Sequence, residues 1–431
     1  MSGFALCLRA LTWWQAALCA IAALIVNAFV LPRLAGGSLD RPVDRARGYP
    51  LGIVLYPLSV LLLILAFPAR LDIAASAWGI LACGDGCATL AGRAYGHHRL
   101  SWNPAKTWEG LIAFVVAGSA AGILLAWWMS PTVVPVPPVA FIVMAPIAAA
   151  VLAGLAESLP VQLDDNLSVP AVAGASLWLA SLVTMDAARA SLLAVAASAP
   201  AALAVNTVVA IGGWRVGTVR ASGMITGWAI GVAVYACTGW PGWVLLFTTF
   251  LAAAMSSRLG FRRKALLGIA EERGGRRGGG NAFANTGLAA IAALAAVFTP
   301  YHDAALVAFV AALVTGGSDT IASEIGKAWG RRTYLVTTMA EVKPGTPGAM
   351  SLEGTAAGVL GALVLASLAT WLGLLPASLV WCAVTGAVVG SLVESALAAT
   401  LEAPGIVNND MLNFINTATG AIVALGLTRW V

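Results

Sequence analysis

Charge is scarce in this chain. Only 10% of its 431 residues are Asp, Glu, Lys or Arg, against roughly 25% in a soluble domain, and that deficit excludes a soluble globular fold. Histidine is rarer still, with 3 residues, and the 6 cysteines form no C-x-x-C pair. Zinc and disulfide frameworks therefore lack their usual spacing, and the cysteines read as small apolar packing residues. No G-x-x-x-x-G-K-[ST] loop occurs, and no G-x-G-x-x-G follows a strand pattern, so the standard nucleotide cradles are absent. The net charge of +5 is no signal for nucleic acid, because membrane orientation accounts for where the basic residues fall.

Apolar runs are what the chain has in abundance. Hydrophobic residues make up 60% of it and the mean hydropathy is +0.89. About 20 apolar residues cross a bilayer core, and only helices or closed barrels satisfy their backbone there. The runs are too long and unbroken for the alternating strands of a barrel. The pattern predicts an all-α polytopic membrane protein of about fourteen spans (12–14). They are expected near 13–31, 51–67, 72–92, 110–129, 137–156, 170–185, 189–211, 222–238, 241–257, 281–298, 303–325, 354–372, 377–398 and 412–428. The first run lacks a small-residue cleavage site and reads as retained.

Orientation follows from the basic residues. Of 24 Lys and Arg, all but Arg9, Arg70, Arg189 and Arg429 fall in the loops after odd-numbered spans. The positive-inside bias puts those loops in the cytoplasm, with the bacterial inner (plasma) membrane as the expected location.

The chain also repeats itself. Gly84-Asp85-Gly86-Cys87-Ala88-Thr89 runs on to Gly92-Arg93, and Ser318-Asp319-Thr320 runs on through Ser323 to Gly326-Lys327. Both follow D-x-x-x-[ST]-x-x-G-[RK]-x-x-G. Glu109-Gly110 and Glu353-Gly354 head the next spans, and Glu157-Ser158 and Glu394-Ser395 end the ones after. Triplets follow: Asp164-Asp165-Asn166 and Asn408-Asn409-Asp410. Four features in the same order imply duplication of a five-helix unit. The repeated helices lie an even number of spans apart, so the two related halves are parallel. The expected division is 1–187 and 188–431, with the break at Asp186 and Arg189.

Asp85 and Asp319 lie inside spans, where an ionisable group costs several kcal/mol unless paired or hydrated, and so they are functional candidates. Thr89, Gly92 and Arg93 share a helix face with Asp85, as Ser323, Gly326 and Lys327 do with Asp319. Carboxylates near a membrane face with Lys and Arg suit Mg²⁺ and a nucleotide's phosphates. The catalytic candidates are Asp85, Asp319, Glu109 and Glu353. Gly84, Gly86, Thr89, Gly92, Arg93, Asn103, Lys106, Ser323, Gly326, Lys327 and Lys343 are the nucleotide- and phosphate-binding candidates. Those for metal are Asp85, Glu157, Asp164, Asp165, Asn166, Asp319, Glu394, Asn408, Asn409 and Asp410. His97 and His98 are adjacent, so they point apart on a helix and read as solvated loop residues.

These residues carry a family likeness. Gly84-Asp85-Gly86, Gly92-Arg93, Asn103-Pro104-Ala105-Lys106-Thr107, Glu157-Ser158-Leu159-Pro160 and Asp164 to Pro170 resemble the phytol and dolichol kinases, over residues 40–185. Gly268 to Glu272, Gly274 to Gly278, Asn281, Asn285, the Asp319 motif, Pro344-Gly345-Thr346 and Ser351 to Gly354 resemble the phytyl-phosphate kinase family, over 202–431. Lys106-Thr107-Trp108-Glu109-Gly110 is also similar to the phosphatidate cytidylyltransferases, but no later His-Gly-Gly block follows.

The resemblance implies a bifunctional, CTP-dependent, Mg²⁺-requiring membrane phosphotransferase. Its first half would convert phytol or another long-chain isoprenoid alcohol to the monophosphate, and its second half the monophosphate to the diphosphate, both at the cytoplasmic face. CDP-lipid synthesis and prenyl-phosphate transport, as by a flippase, are the alternatives.

Overall fold

The structure is a computed structural model that describes residues 3–35, 51–158, 164–269, 278–402 and 407–430. Arg41, Arg45, Arg47, Leu159, Pro160 and the Glu271-Glu272 stretch quoted above lie outside them, as do the side chains of Asp186 and Ala187. The chain divides into two compact units, Met1–Leu182 and Val183–Val431.

Unit 1 holds α1 (Trp13–Leu34), α2 (Leu51–Ala66), α3 (Leu71–Tyr95), α4 (Trp108–Met129), α5 (Val139–Ser158) and α6 (Asp165–Ser181). Unit 2 holds α7 (Met185–Val216), α8 (Ala221–Arg258), α9 (Gly279–Phe298), α10 (His302–Trp329), α11 (Leu352–Trp371), α12 (Val380–Leu397) and α13 (Asn409–Leu427). The protein is an all-α polytopic membrane protein.

Among the described residues, 11 helices are long and apolar enough to cross a membrane. Three places separate this figure from the sequence expectation. α2 is shorter than a full span, and α6 opens on the polar run Asp165-Asn166-Leu167-Ser168. α8 runs for 38 residues, but Gly239 breaks it at φ 67° next to Pro241. A straight helix of that length would be roughly 57 Å long at 1.5 Å per residue, nearly twice the hydrocarbon thickness. The expected division between 238 and 241 falls on this glycine, whose missing Cβ makes the left-handed turn available.

Small residues let the helices approach closely, as membrane bundles require. The unit 1 core gathers Ala75, Ala77, Ile80, Ala149, Ala150 and Ala153 around Phe114, and that of unit 2 gathers Ala289, Ala293, Ala366, Ala383 and Ala387 around Phe309. α10 is the most enclosed candidate span, with 67% of its apolar window buried, because Phe309 to Ser318 is small or apolar on every face. A helix apolar all round belongs in the centre of a bundle, and Asp319 is the first residue after that stretch.

The loops after α3 and α10 end alike. Arg99 pairs with Thr107 in an isolated bridge. The longer loop forms a small antiparallel sheet, β1 (Thr333–Leu335), β2 (Glu341–Val342) and β3 (Ala349–Ser351), in order β2-β1-β3, with Thr333 opposite Ser351. Thr107 and Ser351 then cap α4 and α11, their hydroxyls accepting from Gly110 N at 3.2 Å and Gly354 N at 3.1 Å. Thr107→Ala and Ser351→Ala are each expected to cost about 1 kcal/mol, as lost caps do. Thermal unfolding of the detergent-purified protein should show the drop, with Ser unchanged in place of Thr107.

Candidate functional site

In unit 1 the loop between α3 and α4 is pinned to the end of α5. Trp102 Nε1 donates to Ser158 Oγ and Asn103 Nδ2 donates to Ser158 O, both at 3.1 Å. Trp102 also packs edge-on against Trp108, with ring centroids 5.4 Å apart. This anchoring brings Lys106 over the next residue back on α5, Glu157. Its Nζ donates to Glu157 Oε1 and, at 3.3 Å, to Asp165 Oδ2 at the start of α6.

Asp85 completes the group. Oxygens of Asp85, Glu157 and Asp165 all lie within 4.8 Å of one another, with Glu157 buried and the other two half-buried. Asp85 ends a π-helical turn, Ile80–Asp85, inside α3. Such turns are frequent at functional sites because the extra residue re-aims the side chains around it. Burial works against the Lys106 charge, but its bonds to Glu157 and Asp165 outweigh that and raise its pKa above the ordinary lysine value. The ammonium therefore stays charged at neutral pH and offsets part of the three carboxylates' repulsion.

Asp164 sits outside the group as the N-cap of α6, accepting from Asn166 N at 3.0 Å and Asn166 Nδ2 at 2.8 Å. Asn166 also reaches Gly52 O at 3.4 Å. Glu109 faces elsewhere. It pairs with His98 Nδ1 at 2.6 Å and accepts from His97 N and His98 N at 3.3 and 3.2 Å, closing the loop on itself. Thr89, Arg93 and Gly86 are exposed, and Arg93 forms no ion pair among the described residues. A Cβ on Gly84 would meet the Phe114 ring at 3.0 Å, and one on Gly92 would meet Thr107 Oγ1 at 3.4 Å. Both glycines pack helices together.

Unit 2 has a polar cavity of about 250 Å³. Asp319, Ser323, Gly326, Lys327, Glu394 and Asn409 line it together, and the Pro344 to Ser351 loop forms its rim. Gly348, at φ 76°, lies against the Ser395 carbonyl, where a Cβ would collide, so the rim sits on the end of α12. Ser391 donates to Asp319 Oδ1 at 3.3 Å. Asn408 caps α13 by accepting from Met411 N at 2.9 Å, as Asp164 caps α6. The middle triplet residue faces the site in each unit, charged in Asp165 and neutral in Asn409. Lys343 is exposed, Glu353 is half-buried, and neither of them nor Asp410 lines the cavity.

Several residues here were not singled out from sequence. Glu402 and Asn413 line the cavity, and Asn416 is 1% exposed. Asn409, Asn413 and Asn416 recur at helical spacing, which is the signal that marks them. Glu324 and Lys264 form a buried ion pair, Lys264 also donates to Ser257 O at 2.7 Å, and Lys327 Nζ lies 3.5 Å from Glu324 Oε1. Glu324 thus holds the lysine that lines the cavity.

Residues 204–421 match the integral membrane proteins described as DUF92, and residues 4–160 match the cytidylyltransferase family. An uncharacterised membrane protein of Synechocystis, sll0875, is 38% identical over 46% of this chain and 79% of its own length. The chloroplastic protein VTE6 of Arabidopsis thaliana is 33% identical over 49% of this chain and 66% of that protein. Phytol kinase 1, also chloroplastic and from Arabidopsis thaliana, is 30% identical over 28% of the chain and 40% of its length. No solved structure matches.

Proposed function

The chain belongs to the DUF92 family of integral membrane proteins, and on that premise we propose that its two units are a prenyl-alcohol kinase and a prenyl-phosphate kinase acting in sequence. The first would occupy 1–187 and the second 188–431, close to the observed division at Leu182. The observation that carries the reading is the carboxylate group of Asp85, Glu157 and Asp165 with Lys106 against it. The similarity to phytol kinase 1 supports the class of reaction.

The donor set fits a hard divalent cation: three carboxylates, no sulfur and no imidazole. Asp85, Glu157 and Asp165 would hold Mg²⁺. Bound there with a nucleoside triphosphate, CTP in this reading, it would neutralise phosphate charge. The alcohol oxygen forms the new bond to the γ-phosphorus as the bond to the nucleoside diphosphate breaks, and the hydroxyl proton passes to a carboxylate of the group. Lys106 keeps that group compact. In unit 2 the incoming phosphate oxygen is already anionic and needs no base. Lys327 would attract it past Asp319 and Glu394, and the neutral Asn409 in place of Asp165 lessens repulsion. The basic loops around each site support a cytoplasmic location for it.

The match of residues 4–160 to the cytidylyltransferase family favours a second reading, in which unit 1 makes a CDP-lipid. The position of the label separates the two. With purified protein, geranylgeraniol or geranylgeranyl monophosphate as the lipid, Mg²⁺ and radiolabelled CTP, the kinase reading expects γ-phosphorus in the lipid phase and α-phosphorus in none. Lipid carrying the α label would establish the second reading. Strict chelation of divalent cations is expected to stop both steps, and transfer that survives it would remove the metal assignment.

A further inference from the structure

The polar cavity of unit 2 has an apolar neighbour. An apolar cavity of about 130 Å³ lies among α7, α8, α9 and α10, and Asn281 and Thr320 line both. Thr320 is the neighbour of Asp319 in the chain. Asn281 Oδ1, at this junction, is buried without a hydrogen-bond partner.

The apolar cavity has two contrasting walls. Gly223, Gly227 and Gly231 recur every fourth residue along one half of α8, and so form a trough that the Asn206 side chain closes at Gly231. Trp243, Phe247 and Phe250 recur on the other half, and the Trp243 and Phe247 rings stack with centroids 5.1 Å apart. The polar groups among them are already engaged. Asn206 accepts from Trp243 Nε1 at 3.0 Å and donates to Ala202 O at 2.8 Å, and Trp228 Nε1 donates to Thr207 Oγ1 at 3.0 Å. They offer a ligand flat hydrocarbon contact and few hydrogen bonds.

We infer that this trough holds the tail of the substrate, an isoprenyl chain whose phosphate lies in the adjoining polar cavity beside Lys327. The inference rests on the proposed prenyl-phosphate kinase activity of unit 2. Its occupant follows from the adjacency of the two cavities, which share Asn281 and Thr320 as lining. A lysine-bearing polar chamber bordering an aromatic, apolar one fits a molecule with an anionic head and a linear hydrocarbon tail. The head-proximal isoprene units lie along the glycine trough against Trp243 and Phe247, and a longer tail leaves between the helices into lipid. Gly227 is an exposed lining residue of the cavity, and a Cβ there meets no atom within 4 Å, so a larger side chain can be placed in the trough without displacing backbone.

The test uses the full chain in nanodiscs and a geranylgeranyl monophosphate carrying a diazirine in its second isoprene unit. Photolysis is expected to label α7 and α8 peptides between 206 and 253, and excess unlabelled geranylgeranyl monophosphate should compete it away. Gly227→Phe should cut the labelling at least tenfold. It should also lower kcat/KM for geranylgeranyl monophosphate relative to five-carbon dimethylallyl monophosphate by a similar factor. Uncompeted labelling spread over the outer helix faces would overturn the tail site, as would equal labelling in wild type and Gly227→Phe. Competed labelling in the trough without turnover of either monophosphate would uphold the site and overturn the kinase reading instead.

Discussion

Asp85→Asn is expected to abolish phosphorylation of the alcohol while leaving conversion of supplied monophosphate to diphosphate intact. Asp319→Asn is expected to do the reverse, so that alcohol accumulates as monophosphate. Each substitution keeps side-chain volume and removes one carboxylate charge from one unit. Asp85 belongs to the group with Glu157 and Asp165, and Asp319 lines the unit 2 cavity with Glu394 and Lys327. Outer partners of metal ligands already cost 10–100-fold when mutated, so loss of a direct ligand should cost roughly 100-fold or more. Mass spectrometry of both lipid products from each purified variant checks this. Loss of both steps in both variants, with each still monodisperse, would mean that the activities share one site.

Lys264→Met should produce the largest loss of stability of any single change considered. Lys264 and Glu324 are 1% and 2% exposed, and removing Lys264 leaves the buried Glu324 carboxylate with only the longer contact to Lys327 at 3.5 Å, at about 3 kcal/mol, the low end for breaking a buried pair. The lysine also binds the Ser257 carbonyl at the end of α8, so two helices lose their tie. The thermal midpoint of the detergent-solubilised protein should fall by roughly 10 °C. Lys264→Met with Glu324→Leu should recover most of it, because the charge that loses its partner is then Lys327, which is 32% exposed and can be hydrated. The exposed Lys343→Met should lie within about 0.5 kcal/mol of wild type. A drop in the double variant equal to that of the single would place the cost in packing.

What was legible in the sequence follows the strength of its physical signals. Apolar runs declare themselves, so the polytopic helical fold was readable, and so was the break at Gly239, where glycine and proline fall together. The spacing of Asp85, Glu157 and Asp165 along the chain gave no distance between them, yet charged residues inside a membrane protein must find one another or water. Of the carboxylates expected to gather, Asp85, Glu157 and Asp165 lie within 4.8 Å of one another, and Asp164 stands apart as a helix cap. Glu109 was drawn in by its place in the repeat, but its loop offers the backbone amides of His97 and His98, a local partner that outcompetes a distant one. Lys343 was expected in the site as a basic residue near Glu353, whereas the small sheet after α10 carries it outward. Lys264 was counted only as one of a run of cytoplasmic charges. Nothing in Arg262-Arg263-Lys264 distinguishes the one that turns inward, since burial there depends on Glu324 sixty residues on.

We propose that each unit carries a complete site. The most direct test is to mix purified Asp85→Asn and Asp319→Asn proteins in one detergent solution with alcohol, nucleoside triphosphate and Mg²⁺. Alone, neither should make diphosphate from the alcohol. Mixed, monophosphate released by the intact first unit of Asp319→Asn is predicted to reach the intact second unit of Asp85→Asn, and diphosphate should appear after a lag. A mixture of folded proteins that stays inactive, although supplied monophosphate is converted by wild type, would contradict two separate sites.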